Sequence, residues 1–419
     1  MKAAKKRRRT AAGSNDAAAS SGGAAVLEVL QAFTKLGLTS FGGPVAHIGY
    51  FRTEFVERRK WLDDRAFADL VALCNFLPGP ASSQTGIALG LMRAGYAGAL
   101  AAWFAFTLPS AIALVLFAYG AAALGNAAGS GWLQGLKVAA VAVVAQAVLG
   151  MMQTLTPDRA RATLAVLAAA LVLAVPTAFG QIGAIVLGGV IGVTLLRDGA
   201  DAPNGVLPVK VSKPVAIGAL ILFFILLIAL PIAARTTGSQ ALTYFDAFYR
   251  AGSLVFGGGH VVLPLLQAEV VPPGWVAEDA FLAGYGAAQA VPGPLLTFAA
   301  YLGAVMGPEP NGWQGAALCL AAIFLPSFLL IAGALPFWQI LRARPEAQAV
   351  LRGVNAAVVG ILIAALYDPV WTAGIKSGAD FALGAAAFLL LYLWKTPPWL
   401  VVILCALGGA AIAALLVGT

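Results

Sequence analysis

Phe41-Gly42-Gly43-Pro44 and Pro78-Gly79-Pro80 are two short Gly/Pro runs, and each interrupts an apolar segment of the chain. A membrane-spanning helix does not tolerate such runs in its middle, because proline removes a backbone donor and clashes with the preceding turn. Both segments are therefore predicted to break at these runs.

The same pattern occurs again about 215 positions later, which is the sign of an internal repeat. The two blocks share Gly/Pro runs, aromatic residues and a Leu-Pro-Ser triplet in the same order: Phe41-Gly42-Gly43 with Phe256-Gly257-Gly258, Trp61 with Trp275, Phe67 with Phe281, Pro78-Gly79-Pro80 with Pro292-Gly293-Pro294, and Leu108-Pro109-Ser110 with Leu325-Pro326-Ser327. Polar residues match in the same register: Lys35 with Arg250, Glu54 with Glu269, Asp64 with Glu278, Asn75 with Gln289, and Ser83 with Thr297. The sequence therefore predicts two related structural halves.

The composition is that of a membrane protein. Of the 419 residues, 60% are hydrophobic and only 11% are charged, whereas soluble domains carry about 25% charged residues. Apolar segments of spanning length recur along nearly the whole chain, so an all-α polytopic membrane protein is predicted and a separate soluble catalytic domain is excluded. The three cysteines show no spacing typical of a disulfide or a metal site, and we expect no cofactor.

The net charge of +8 lies in a basic N-terminal tail and short loops, where it indicates topology rather than nucleic-acid binding. The expected divisions are a disordered tail (1–22), a first transmembrane repeat (23–196), a polar linker (197–213), a connecting helix (214–234) and a second repeat (241–419). The unpaired connecting helix should invert the second repeat relative to the first.

Lysine and arginine positions test the topology, because cytoplasmic loops hold them in excess. If each Gly/Pro run is the tip of a re-entrant hairpin, the basic connection 51–65 becomes cytoplasmic, and its counterpart 267–279, which has no Lys or Arg, becomes external. We therefore expect nine full spans and four re-entrant hairpins in an inverted repeat, with a cytoplasmic N-terminus. Thirteen simple spans are the alternative.

Broken helices at membrane depth are typical of secondary transporters, since non-helical backbone survives there only where it lines a cavity. The four tips should meet near the midplane, where the N-termini of half-helices suit a negative ligand. The predicted substrate-binding and translocation residues are those of the tips and the polar residues beside them: Gly42, Gly43, Gly257, Gly258, Pro78, Gly79, Pro80, Asn75, Ser82, Ser83, Gln84, Pro292, Gly293, Pro294, Gln289 and Thr297.

Charged residues near the tips form a second group of candidates. Lys35 and Arg250 are cations within apolar segments, so they are predicted to act as a symmetric pair in substrate translocation; snorkelling to the interface is the alternative. Four repeat-matched acids in the connections between hairpins are candidates for gating or proton coupling, or else they are solvated loop charges: Glu54, Glu269, Asp64 and Glu278.

A family resemblance rests on spaced motifs in both blocks. The motifs Phe41-Gly42-Gly43-Pro44, Phe55-Val56-Glu57-Arg58-Arg59, Phe67-Ala68-Asp69 and Leu77-Pro78-Gly79-Pro80 closely resemble the chromate ion transporter family. The second block, from Phe256-Gly257-Gly258-Gly259 to Val291-Pro292-Gly293-Pro294, is similar to the other domain of its long, two-domain members.

The resemblance implies a non-enzymatic secondary transporter in the cell (inner) membrane that exports chromate and confers chromate resistance. The membrane potential, a proton gradient or both would drive it, and no Walker A pattern is present. A transporter of sulfate or another anion is the alternative, and an intramembrane enzyme or scaffold a remote one. The expected partners are the oxyanion and the lipid bilayer; a homodimer stays open.

Overall fold

The computed structural model describes residues 22–124, 131–196, 207 and 211–417. All regular secondary structure in these ranges is helical. The predicted disordered tail lies outside the described residues apart from residue 22, and so does most of the predicted linker.

The first half contains seven helices, of which α2 continues into a π-helical turn (Arg52–Arg58). Their bounds are 22–39 for α1, Gly43–Phe51 for α2, Asp64–Phe76 for α3, Ala81–Leu124 for α4, Gly131–Leu155 for α5, Arg159–Ala174 for α6 and Ala178–Leu195 for α7.

The second half follows the single helix α8 (Lys213–Thr237) and repeats this order of elements. Its helices are α9 (Gln240–Ser253), α10 (Val262–Val270), α11 (Glu278–Ala288), α12 (Phe298–Val305), α13 (Gly312–Ala334), α14 (Trp338–Arg342), α15 (Pro345–Ala365), the short α16 (Thr372–Gly374), α17 (Gly378–Tyr392) and α18 (Pro398–Val417). Short 3₁₀ turns precede α10 and α12, at Gly259–Val261 and Leu295–Thr297, and a π-helical turn, Leu366–Trp371, follows α15.

Helix α4 is two helices, because Ala94 and Gly95 leave the helical conformation, with φ of −132° and 68°. We call the parts α4a (81–93) and α4b (96–124). Within the described residues, seven helices are long and apolar enough to cross a membrane. The prediction of an all-α polytopic membrane protein is confirmed.

The Gly/Pro runs do break the chain, and the helices on either side fold back on each other. In the first pair, Phe33 of α1 contacts Phe51 and Phe55, with ring centroids 5.6 and 5.0 Å apart, and the Trp61 indole donates to Glu28 at 3.1 Å. Residues progressively farther before and after the Gly42-Gly43 turn are therefore in contact, which defines an antiparallel hairpin.

The other three interruptions form hairpins of the same kind, and in the first of these α3 packs on α4. The ring centroids of Tyr244, in α9, and Trp275, beyond the end of α10, lie 4.8 Å apart. The Tyr301 hydroxyl of α12 donates to the carbonyl of Ala280 in α11 at 2.9 Å. We name the hairpins by their helices: hairpin 1 (α1–α2), hairpin 2 (α3–α4a), hairpin 3 (α9–α10) and hairpin 4 (α11–α12).

The two halves are inverted relative to each other. Hairpins 1 and 2 open to one face of the molecule, where Arg93 contacts Glu28 at 2.7 Å. Helix α4b runs from there to the opposite face, where Tyr119 packs on Trp313 at the start of α13. Hairpins 3 and 4 open at that second face, since the Gly307 amide, after α12, donates to the Trp275 carbonyl at 3.0 Å.

The remaining helices exchange partners between the halves. Helix α15 packs on α6 and α7, while α5 packs on α17 and α18. A Cβ atom at Gly188 of α7 or at Gly131 of α5 would lie 2.7 Å from the carbonyl oxygen of Gly353 or Gly409 on the facing helix. Small residues at these crossings let the backbones meet, as is usual between membrane helices.

Candidate functional site

The tips of the four hairpins meet in two symmetry-related contacts between the halves. The Gly79 amide, at the tip of hairpin 2, donates to the carbonyl of Val255 at the tip of hairpin 3, at 2.5 Å. The Gly293 amide, at the tip of hairpin 4, donates to the carbonyl of Ser40 at the tip of hairpin 1, at 2.9 Å. We call these contacts the Gly79 junction and the Gly293 junction.

Each junction lies halfway along a helix that crosses the whole molecule. A Cβ atom at Gly79 would lie 3.0 Å from the hydroxyl of Ser327 in α13, and one at Gly293 would lie 2.9 Å from the hydroxyl of Ser110 in α4b. Both glycines also have positive φ, 128° and 95°, so side chains are disfavoured for two independent reasons. The tips therefore reach the middle of the helical layer, the depth expected for re-entrant hairpins.

The tips of hairpins 1 and 3 face each other between the two junctions. A Cβ atom at Gly43 would lie 4.0 Å from Nε2 of His260, and one at Gly259 would lie 3.4 Å from Pro44. The predicted tip glycines Gly42, Gly257 and Gly258 have φ of 98°, 71° and 143°, as tight turns of this kind require. All four Gly/Pro runs thus converge on one region, but their role in translocation stays a prediction.

The polar residues predicted beside the tips lie at the junctions. The Gln84 amide donates to the carbonyl of Pro78 at 2.6 Å, and the Thr297 hydroxyl donates to the carbonyl of Pro294 at 2.7 Å. Ser82 and Ser83 are buried in the first turn of α4a, which begins directly after Pro80. The Ser83 hydroxyl has no hydrogen-bond partner within the described part of the chain.

Asn75 and Gln289, predicted to line the path, differ in their surroundings. Asn75, near the end of α3 in hairpin 2, is exposed. Gln289 is half-buried just before the tip of hairpin 4, and its amide nitrogen has no partner among the described residues. The two positions match in the repeat, but their side chains have different surroundings in the two halves.

Lys35 and Arg250 lie one to two turns before the tips, and each is paired with a carboxylate of its own hairpin. Lys35 Nζ is 3.4 Å from Glu54. Arg250 makes two contacts with Glu269, at 3.0 and 2.9 Å, and a third with Asp246, at 3.2 Å. These ion pairs tie the two helices of hairpins 1 and 3 together, so the cations are not free charges at the junctions.

The acids of the connections lie in two different electrostatic environments. Burial tends to raise the pKa of Glu54, but the hydrogen bond from Arg59 and the charge of Lys35 outweigh it, and the pKa lies below its ordinary value. At the other face, burial and the neighbouring carboxylates Asp368 and Asp279 raise the pKa of Glu278. The remaining acid, Asp64, accepts from Arg52 at 2.9 Å.

Four residues near the tips were not among the predicted candidates: Ser40, His47, Ser110 and Ser327. The His47 ring, almost fully buried in α2, lies 3.2 Å from the Ser40 carbonyl and 3.4 Å from the Ser82 hydroxyl, and so connects the tips of hairpins 1 and 2. Ser110 and Ser327 belong to the repeated Leu-Pro-Ser triplet, which was the available signal for them.

Two ion pairs also join the halves, and the first of them is buried. Asp69 of hairpin 2, fully buried, accepts from Arg342 at 2.7 Å and from the Trp338 indole at 3.0 Å. Lys137 of α5 contacts Asp279 of hairpin 4 at 2.8 Å. The sequence gives no signal for either pairing. Among the described residues, no group of three or more His, Cys, Asp or Glu side chains could hold a metal ion.

The fold and the tip region define the class: a multi-span helical membrane protein of the inverted-repeat transporter type. The family model for the chromate transporter matches residues 27–193 and 242–410, one match in each half. The chain therefore belongs to the chromate transporter family.

Relatives with known names support this assignment. The chain is 29% identical to a chromate transport protein of Pseudomonas aeruginosa over 91% of this chain and 90% of the relative. It is 26% identical to a probable chromate transport protein of Synechococcus elongatus, over 91% and 94%, and 26% identical to a chromate transport protein of Cupriavidus metallidurans, over 81% of each chain. No solved structure matches this chain.

Proposed function

We propose that this protein is a secondary transporter that moves chromate out of the cytoplasm across the cell inner membrane and thereby confers chromate resistance. The N-terminus lies in the cytoplasm, and the two halves rock or gate around the region where the hairpin tips meet. The proposal rests mainly on one observation: the four tips converge halfway along α4b and α13, and polar groups lie at the start of α4a. Such helix starts favour an anion, because their free N–H groups carry partial positive charge.

The charge of the two faces supports entry from one side. The connection 51–65 holds five Lys or Arg and four Asp or Glu, whereas the matching connection 267–279 holds three acids and no basic residue. A basic vestibule concentrates anions and raises their rate of entry. If the basic face is cytoplasmic, chromate enters the protein from the side where the positive charge of this connection concentrates it.

The membrane potential favours the same direction. Moving a dianion out of a cell that is negative inside gains roughly 4 to 5 kcal/mol per 100 mV, twice the value for one charge. Uptake would instead require co-transported cations. The repeat-matched acids Glu54, Glu269, Asp64 and Glu278 are the groups we propose for gating or for coupling to a proton gradient.

Transport in inverted membrane vesicles tests the proposal. With the cytoplasmic face outward, export becomes chromate uptake into the lumen, and it should stop when an ionophore collapses the electrical gradient. Collapsing the pH gradient alone tests proton coupling, and vesicles without the protein give the background. Absence of chromate uptake above that background would contradict the proposed substrate.

Sulfate is the main alternative substrate, because hydroxyl and amide donors serve any tetrahedral oxyanion. Competition of unlabelled sulfate with chromate in the same vesicles separates the two anions by their relative affinities. We expect no chemically altered product, and detection of one would favour an intramembrane enzyme.

Cysteine labelling tests the orientation. The natural cysteines Cys74, Cys319 and Cys405 are buried, so a single added cysteine can be labelled over a low background. Lys60 and Pro273 are exposed in matching connections of the two halves. In intact cells, a membrane-impermeant maleimide should label Pro273→Cys and not Lys60→Cys. The reverse pattern would contradict the proposed orientation of the two faces.

A further inference from the structure

We propose that the oxyanion binds at the Gly79 junction rather than equally at both junctions, and that Ser327 of the opposite half donates a hydrogen bond to it. The inference rests on the proposed function, because it names the position at which the transported anion is held. The ligand is a tetrahedral oxyanion bound by uncharged donors.

The first argument comes from the two matched serines. Both are fully buried, and each follows a proline in the middle of a crossing helix. A serine in a helix usually donates to a carbonyl of the preceding turn, and Ser110 does so, to Thr107 at 3.0 Å. The Ser327 hydroxyl has no such partner in the described residues. A buried unpaired hydroxyl is costly at membrane depth, which points to a ligand at Ser327.

The second argument is the helix that begins at each junction. At the Gly79 junction, α4a starts directly as an α-helix with Ser82, Ser83 and Gln84 in its first turn. At the Gly293 junction, a 3₁₀ turn comes first, and the residues matching Ser82 and Gln84 are Leu296 and Phe298. Only the Gly79 junction therefore combines an α-helical N-terminus with several polar side chains.

The third argument is that polar donors converge at the Gly79 junction, and that the hydroxyls among them are unpaired. The Gln84 amide nitrogen, which donates to Pro78, and the unpaired Ser327 hydroxyl both approach the position that a Cβ atom would take at Gly79. Ser83, in the same turn, is at least nine-tenths buried, and its hydroxyl, a donor, has no partner within the described ranges. By contrast, Thr297, which matches Ser83, already donates to Pro294. Ser40 and Thr107, near the Gly293 junction, also have unpaired hydroxyls but lie outside the first turn of α12.

Such a site explains how an anion is both held and released. The helix N-terminus supplies partial charge and the hydroxyls supply directional donors, while the cations Lys35 and Arg250 are neutralised by carboxylates in their own hairpins. A transport site must bind its ligand strongly enough for entry and weakly enough for departure. Uncharged donors meet both requirements.

The test measures binding of chromate, and separately of sulfate, to the full-length protein in lipid nanodiscs. Ser327→Ala removes one hydrogen bond to a charged ligand and should weaken binding by about tenfold or more, whereas the matched variant Ser110→Ala should bind as wild type does. Ser327→Thr, which keeps the hydroxyl, should retain most of the affinity. Melting temperatures of all variants report on folding.

Each outcome bears on one claim. Normal binding by Ser327→Ala, with the wild type active in vesicles, would overturn the Gly79 site and leave the transport function standing. Equal losses in Ser110→Ala and Ser327→Ala would also overturn it, in favour of a symmetric site. A wild type that neither binds nor transports either anion would remove the proposed function and this site together.

Discussion

The Lys35–Glu54 and Arg250–Glu269 pairs occupy matched positions in the two repeats, and each joins residues 19 positions apart, yet their surroundings differ. The Lys35 side chain is 53% exposed, and Glu54 also contacts the two cations Arg58 and Arg59. The Arg250 side chain is only 27% exposed and contacts two carboxylates, Glu269 and Asp246.

The comparison shows which features the repeat preserves. In hairpins 1 and 3 a cation on one helix pairs with an acid on the other, and the repeat preserves this pair in both halves. The neighbouring charges are not preserved: cations outnumber acids around Glu54, whereas acids outnumber the cation around Arg250. Two related folds therefore present opposite charge to the two faces, a difference suited to moving an anion in one direction.

The largest effect on stability is expected from Arg250→Ala. This variant leaves Glu269 and Asp246 buried without their cation, and removing one partner of a buried ion pair typically costs about 3 to 5 kcal/mol. Lys35→Ala leaves Glu54 with Arg58 and Arg59 and should cost no more than about 1 kcal/mol, the value for an exposed pair. Melting temperatures of the purified variants, followed by tryptophan fluorescence, measure the difference.

Arg250→Lys refines this test. It keeps the charge but loses the two parallel contacts with Glu269, so its melting temperature should lie between those of wild type and Arg250→Ala. Equal destabilisation by Lys35→Ala and Arg250→Ala would show that the two pairs contribute alike, and the contrast drawn from their burial would then be wrong.

A change of pH should have a smaller effect on stability. The effect should have opposite signs for Glu54 at one face and Glu278 at the other. The pKa of Glu54 is below its ordinary value, so this residue stabilises the fold above the unfolded pKa and loses that contribution as pH falls through the folded pKa. The pKa of Glu278 is raised, so its charge destabilises the fold above the folded pKa, and acidification relieves this penalty.

The measurement compares each Gln variant with wild type. On acidification from pH 7 to 4, wild type should lose melting temperature relative to Glu54→Gln and gain it relative to Glu278→Gln. The two differences should change in opposite directions. A shift in the same direction for both variants would contradict the assigned environments.

The breaks, the repeat and its inversion could be predicted from the sequence, because Gly/Pro runs, apolar length and basic loops act locally. The partners of the tips could not, because the contacts of Gly79 with Val255 and of Gly293 with Ser40 depend on how the halves pack. The Asp69–Arg342 pair joins residues 273 positions apart, with no repeat counterpart to indicate it.

Lys35 and Arg250 illustrate how a correct pattern can be interpreted incompletely. Their match across the repeat suggested a symmetric pair of cations in substrate translocation. Glu54 and Glu269 match in the same register, however, and hairpin closure brings each cation to its acid. The repeated opposite charges were the available signal for hairpin ion pairs. Their contribution to translocation stays a prediction.

The smallest effect is expected from removing a single charge at the basic face, and it concerns the rate of chromate entry. Lys60→Gln removes one exposed charge from the connection 51–65 and should lower the initial rate of chromate uptake into inverted vesicles by a factor of roughly two at low salt. The difference should disappear near 1 M salt, where the screening length is about 3 Å. Glu309→Gln, which removes an exposed charge between α12 and α13 at the other face, is the control and should leave this entry rate unchanged. A loss that persists at high salt would mean that Lys60 acts by contact, and the electrostatic contrast between the two faces would then not govern entry.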